Sequence, residues 1–334
     1  MTDAESHIRL PEALTPYLYF SHDRRRALAF GASGRAWWLE IDPARRAVEI
    51  APAPLSPPMA TLAAGDTVLI GSHALDRLLV ATGEGARVLA APSGELVAEV
   101  GRLPGRAHAL SPSGRWLLSF EEETMWSMDL EREQREWVDT HSFHAVENAA
   151  GEEEWLHHDH VDFLATFPYA GDDAEEGGEE RFWVAAGCYG FVVTHLARAD
   201  ESIVAVLREP GRSHVAAAGV IYDPTLVLWP FGRRHAFAIH GEGTGVVAVD
   251  PESGELHHCR VRPGGKQPYS FIRHVAPSAD EASAYVRCRD GAFLWRVGEA
   301  PVRIAEPRAD VLALYRGALL VADGESLRWV AVEG

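Results

Sequence analysis

The chain has 334 residues, of which 47% are hydrophobic and 24% charged, a composition that excludes wholesale disorder. Its 49 acidic and 31 basic residues leave a formal charge of −18, which repels phosphate backbones and anionic lipid, so neither nucleic acid nor a membrane is an expected partner. Three cysteines, Cys188, Cys259 and Cys288, form no C-x-x-C pair, and no leader or long apolar span is evident, so a cytoplasmic location is expected.

From the N-terminus, His7-Ile8-Arg9-Leu10 reads as a lone strand, and Phe20-Ser21-His22-Asp23-Arg24 as a turn between two strands. A strand then ends in the acidic corner Ile41-Asp42-Pro43, and a second, after the apolar run Leu78–Ala81, ends at Pro92-Ser93-Gly94-Glu95-Leu96. Leu110-Ser111-Pro112-Ser113-Gly114-Arg115 is the clearest hairpin turn, followed by the strand Trp116–Phe120 and the corner Met128-Asp129-Leu130. Residues 139–156 read as a long junction, 170–181 as an acidic insertion with too little apolar surface to pack, and 208–225 as a second long junction. Further on come Gly245–Val249, the corner Asp250-Pro251-Glu252-Ser253-Gly254-Glu255-Leu256, and a looser turn at Ala276-Pro277-Ser278-Ala279-Asp280. Residues 309–334 supply only three strand-like runs, so the missing outer strand is expected from the N-terminal segment.

No stretch shows helical periodicity, and the chain reads as all-β. Corners near 43, 92, 131, 198, 251 and 299 divide it into about seven units, with roughly 53 to 55 residues per unit where two copies of one corner can be compared. The Ser-Pro-Ser-Gly-Arg turn, an apolar strand, a loop and a strand ending in hydrophobic-x-hydrophobic-Asp resemble the blades of WD40-like and YVTN-type β-propellers. That resemblance implies one propeller over 1–334, of about seven four-stranded blades, with the N-terminal segment closing the last one.

It also implies two faces, the serine turns on one and the unit junctions and middle loops on the other, where ligands usually bind. Lys266, Tyr269, Arg273 and His274 then fall on the second face and are the candidate binding residues for a protein or peptide, possibly a basic one given the charge. The ten tryptophans sit mostly in apolar runs and read as packing between blades.

The competing reading is a metal-dependent enzyme of lyase or oxygenase type. In Leu156-His157-His158-Asp159-His160-Val161-Asp162, alternate residues of an extended chain share a side, so His158, His160 and Asp162 project together. Two imidazoles and a carboxylate suit Zn or Fe, and His108, His214 or His274 could complete the set from another unit. A full catalytic constellation is not legible, there is no G-x-S-x-G elbow, and the binding scaffold without cofactor is the leading expectation.

Overall fold

The computed structural model describes residues 8–33, 35–53, 67–82, 84–91, 93–103, 107–121, 124–132, 134–138, 145–147, 153–155, 163–168, 180–188, 191–199, 204–207, 213–217, 235–240, 245–250, 255–261 and 272–332. Among them every regular element is a β-strand. The N-terminal part supplies β1 (Ile8–Arg9), β2–β5 (Leu14–Phe20, Arg26–Gly31, Ala36–Asp42, Ala47–Pro52) and β6–β9 (Thr67–Gly71, Arg77–Thr82, Gly85–Ala90, Leu96–Gly101). The middle supplies β10–β13 (Ala107–Leu110, Trp116–Glu121, Thr124–Asp129, Gln134–Val138), β14 and β15 (Ala145–Glu147, Glu153–Trp155), and β16–β20 (Phe163–Pro168, Glu180–Cys188, Phe191–Ala199, Val204–Leu207, Ser213–Ala217). After β21–β23 (Ala236–His240, Gly245–Val249, Leu256–Cys259) come β24–β27 (Ile272–Pro277, Ser283–Cys288, Gly291–Arg296, Val302–Ile304) and β28–β30 (Asp310–Tyr315, Ala318–Asp323, Ser326–Ala331).

The strands pair antiparallel with their sequence neighbours, giving four-stranded sheets β2–β5, β6–β9, β10–β13 and β24–β27. Sheet β28–β30 takes β1 as its fourth strand, with Ile8 opposite Leu327 and Arg9 opposite Ser326. Leu10 follows into the core at 2% exposure, and its N–H donates to the Glu325 carbonyl at 2.8 Å. Two stretches read as junctions contain strands: β14 and β15 pair with each other within 139–156, and β20 lies within 208–225, extending the long strand β18 beside β19. β14 and β15 were not legible, because three residues of Ala-Val-Glu or Glu-Glu-Trp are too short to show a period.

The chain divides into two compact units, Met1–Glu99 with Ile272–Gly334, and Val100–Phe271. In the first, middle strands are covered on both faces and are accordingly continuous apolar runs: Leu28, Leu39, Leu78, Leu79, Val80 and Val88 have 0% exposure. Outer strands alternate instead, and Leu96 on β9 and Val302 on β27 are more than half exposed. Sheet β2–β5 packs on sheet β28–β30 through Phe20, Leu39, Leu320 and Trp329, and on sheet β6–β9 through Leu28, Trp38, Leu78 and Val80. Sheets β24–β27 and β28–β30 share Tyr285, Val311, Leu319 and Val321.

One turn recurs where the first strand of a sheet meets the second. Ser21, Ser72, Ser111 and Ser278 are at most 5% exposed. Each donates its N–H to the carbonyl five residues on and accepts at its own carbonyl the N–H of the third residue on. That third residue has a positive φ: Arg24 at 56°, Leu75 at 57°, Gly114 at 75° and Glu281 at 55°. Only glycine takes this conformation freely, so three of the four turns carry a backbone cost of roughly 1–2 kcal/mol each. The serine hydroxyl offsets it, because Oγ accepts the N–H of Arg26 at 3.0 Å, Arg77 at 3.0 Å, Trp116 at 3.2 Å and Ser283 at 3.1 Å. It donates in turn to a carboxylate: Asp23 in the first copy, Asp76 in the second, Glu180 from β17 in the third and Asp280 in the fourth. Replacing Ser278 by Ala leaves the Ser283 N–H buried without its acceptor and should lower unfolding free energy by about 1–3 kcal/mol in urea titration, whereas Ser278→Thr should recover part of it.

The acidic corner is equally specific in β10–β13. Asp129, at 0% exposure, accepts from Arg115 Nη2 at 2.7 Å and from the Glu131 N–H at 3.0 Å. Burial alone would raise its carboxyl, but the Arg115 guanidinium and the backbone donors outweigh burial and hold it below the usual carboxylate range. The stability this contributes is present above the unfolded carboxyl's value and lost as pH falls through the folded one. Asp129→Asn should therefore cost about 1.5–3 kcal/mol near neutral pH and flatten the acid limb of the stability curve, read by denaturant unfolding across pH.

Candidate functional site

His158, His160 and Asp162 lie outside the described residues, as do Lys266 and Tyr269. His214 stands in β20 opposite Thr194 of β18. Among the described residues, no three His, Cys, Asp or Glu side chains are grouped to hold a metal ion.

His108 is on β10, where its Nδ1 lies 2.7 Å from Ser119 Oγ, its register partner on β11. Burial pushes the imidazole down to about 4, so it is neutral near pH 7 and its bond to Ser119 ties the first two strands of the sheet. Aligned on the buried serines, His108 occupies the place of Val275 in β24, and His274 the place of Ala107 in β10, so the two histidines stand on opposite sides of their strands. They are not equivalent positions of a repeated ligand set.

His274 pairs with Arg287 across β24–β25 and has the Tyr285 ring at 6.1 Å. Its imidazole is lowered by burial, against which the Val311 backbone and the Asp310 carboxylate act. The Nε2 atom is buried and makes no hydrogen bond among the described residues. Arg273, one residue before, is exposed at a bulge between Ile272 and His274.

Arg273 is one of several arginines gathered at one end of sheet β24–β27. Arg287 is the next-to-last residue of β25, Arg289 is exposed in the hairpin to β26, and Arg303 is in β27, its Nη2 3.3 Å from where a side chain on Gly291 would begin. Gly291 has φ of 126°, a conformation open to glycine, and this lets the guanidinium lie over the backbone. Arg308 is exposed in the connection to β28. Arg287 Nε bonds Glu306 Oε1 at 2.6 Å. None of the others has a carboxylate within ion-pair distance among the described residues. Of these the sequence singled out only Arg273; the signal for two more was Arg287-Cys288 leading into the two-residue hairpin Arg289-Asp290, which places both charges at the same sheet end.

The serine-turn end of the first unit holds buried charge that sequence reasoning also missed. Arg24, at 3% exposure, lies over the Phe20 ring at 5.1 Å, and Tyr315 Oη donates to its carbonyl at 2.7 Å. Burial brings the guanidinium down to about 10, while Tyr315 and the buried Glu281 favour its charged form, so it stays a cation. His22 Nε2 is 3.8 Å from Glu281 Oε1, and its ring stacks on His73 with centroids 5.7 Å apart. These groups join the turns of three sheets and read as structural.

No family model matches the chain, and no curated protein sequence matches it. Solved structures do. The β-propeller domain of Myceliophteria thermophila Cps50 (Swd1) is 16% identical, with a TM-score of 0.53, over 99% of this chain and 100% of that one. The structure of U3-55K is 14% identical, with a TM-score of 0.50, over 98% of each chain. The fold this likeness shows is the β-propeller, all-β and here built largely of four-stranded antiparallel sheets. At such identity the likeness carries the fold and leaves the ligand to be argued from this chain's own residues.

The neutral state of His108 gives a pH prediction. An unfolded imidazole titrates near 6.5, so the folded ring's stabilisation is fully present above that value and is lost as pH falls towards about 4. His108→Asn should remove the part of the pH dependence lying in that window, measured as urea-unfolding free energies at several pH values.

Proposed function

We propose that this chain is a non-enzymatic protein- or peptide-binding scaffold whose partner presents a basic segment. The observation that carries the reading is the distribution of charge. Residues 121–180 hold 20 of the 49 acidic residues and 2 of the 31 basic ones, so this stretch bears a formal charge of −18, equal to that of the whole chain. The other 29 acidic and 29 basic residues cancel.

Register supports the same reading, since within that stretch Glu147 and Glu153 are partners in the β14–β15 ladder. The field of the stretch speeds the approach of a lysine- or arginine-rich segment. Propellers serve commonly as such platforms, and Lys266, Tyr269, Arg273 and His274 are proposed as contacts for a separate, non-basic part of a partner.

Titrating the full chain into a fluorescein-labelled lysine/arginine-rich peptide should give saturable one-to-one binding that weakens with salt. Glu152→Gln, Glu153→Gln and Glu154→Gln together should weaken it by about tenfold. Unchanged affinity in the triple variant would overturn the basic-partner reading.

A further inference from the structure

The arginine end of sheet β24–β27 has the opposite chemistry. Ile272 pairs with Cys288, Cys288 with Gly291, and Ala292 with Ile304, so the start of β24, the β25–β26 hairpin and the end of β27 lie at one level of one sheet. This gathers Arg273, Arg287, Arg289 and Arg303 there, and the short connection from Ile304 to β28 adds Arg308. The ladder therefore fixes the grouping, independently of side-chain detail.

Electrostatics makes the grouping informative. Of the five arginines at this end, Arg287 is paired, its Nε 2.6 Å from Glu306 Oε1. Arg273, Arg289, Arg303 and Arg308 have no carboxylate within ion-pair distance among the described residues, although Asp310 is exposed at the same end and Asp290 follows Arg289 in the hairpin. Clustering unpaired guanidinium groups costs self-repulsion that a second, anionic surface removes. Arginine suits that task, since its planar fork takes a carboxylate with two parallel hydrogen bonds and loses little on partial desolvation. Val302, 52% exposed beside Arg303, adds an apolar contact at the rim.

We propose that this sheet end is a docking surface for an acidic segment, rich in Asp and Glu, of a partner protein. The proposal goes beyond the basic-partner reading: it names a second surface with the opposite preference, and it rests on the scaffold reading only in treating the propeller as a platform.

The test uses the full chain and a fluorescein-labelled peptide of alternating Asp and Glu, with anisotropy as the readout. The unmodified chain should bind it saturably at low salt. Arg289→Glu with Arg308→Glu should weaken binding by about tenfold or more, while Arg296→Glu with Arg316→Glu, equally exposed but at the opposite ends of their strands, should leave it unchanged. The milder pair Arg289→Gln with Arg308→Gln should give an intermediate loss and guards against misfolding of the reversal variant. Binding of the lysine/arginine-rich peptide should survive all of these substitutions, which separates this surface from residues 121–180. Equal losses in both reversal pairs, or no binding of the acidic peptide, overturns the proposal. So does concentration-dependent self-association abolished by the Arg289/Arg308 reversal, since the occupant would then be the acidic stretch of a second copy.

Discussion

A buried hairpin has no water to satisfy its backbone, and the four serine turns answer this constraint with one hydroxyl each. Ser21, Ser72, Ser111 and Ser278 supply an acceptor for an N–H that the tight turn leaves over, and pass their own proton to a carboxylate. The turn in this form demands a left-handed residue three positions on, and three times the chain puts a side chain there rather than glycine. Arg24 and Glu281 use that geometry to turn inward, where they meet near Tyr315 as opposite charges. Backbone satisfaction thus comes first, and the buried ion cluster is built on conformations it imposes.

Much of this was written in the sequence where the turn residues are distinctive. The Ser-Pro-Ser-Gly turn at 111–114 and the Met128-Asp129-Leu130 corner were legible because proline, glycine and aspartate act locally. The copy at Ser72-His73-Ala74-Leu75 was not, since nothing in those four residue types announces a turn; its serine is recognisable only once the hydrogen bonds are seen. The proline of the loosest copy also misleads. Pro277 precedes its serine whereas Pro112 follows one, so an alignment on proline is out of step by two residues, which keeps each residue on its own side of the strand but displaces it along the ladder.

The candidate site was legible only in part, for a different reason. Arg273 and His274 were found because they lie together in sequence, but Arg289, Arg303 and Arg308 come together through strand pairing, which spacing along the chain does not reveal. His108 illustrates the converse. As a lone histidine at a unit junction it resembles a ligand, and only its bond to Ser119 shows a side chain already engaged in holding two strands. The charge itself was visible as a sum, while its concentration in 121–180 gives the protein a polarity that the sum conceals.

The pairing of β1 with β30 bears on how the chain is made. On a ribosome, Ile8 and Arg9 emerge long before the strand edge that receives them, Ser326 and Leu327. The same delay separates Arg24 from Tyr315, whose hydrogen bond spans 291 residues. Sheets β2–β5 and β6–β9 can form as they appear, but the apolar face that Phe20 and Leu39 share with Leu320 and Trp329 stays uncovered until those later strands emerge. Nascent chains therefore carry an exposed sticky surface while the intervening segments are made, and chaperone dependence should track translation speed more closely than the finished protein's stability.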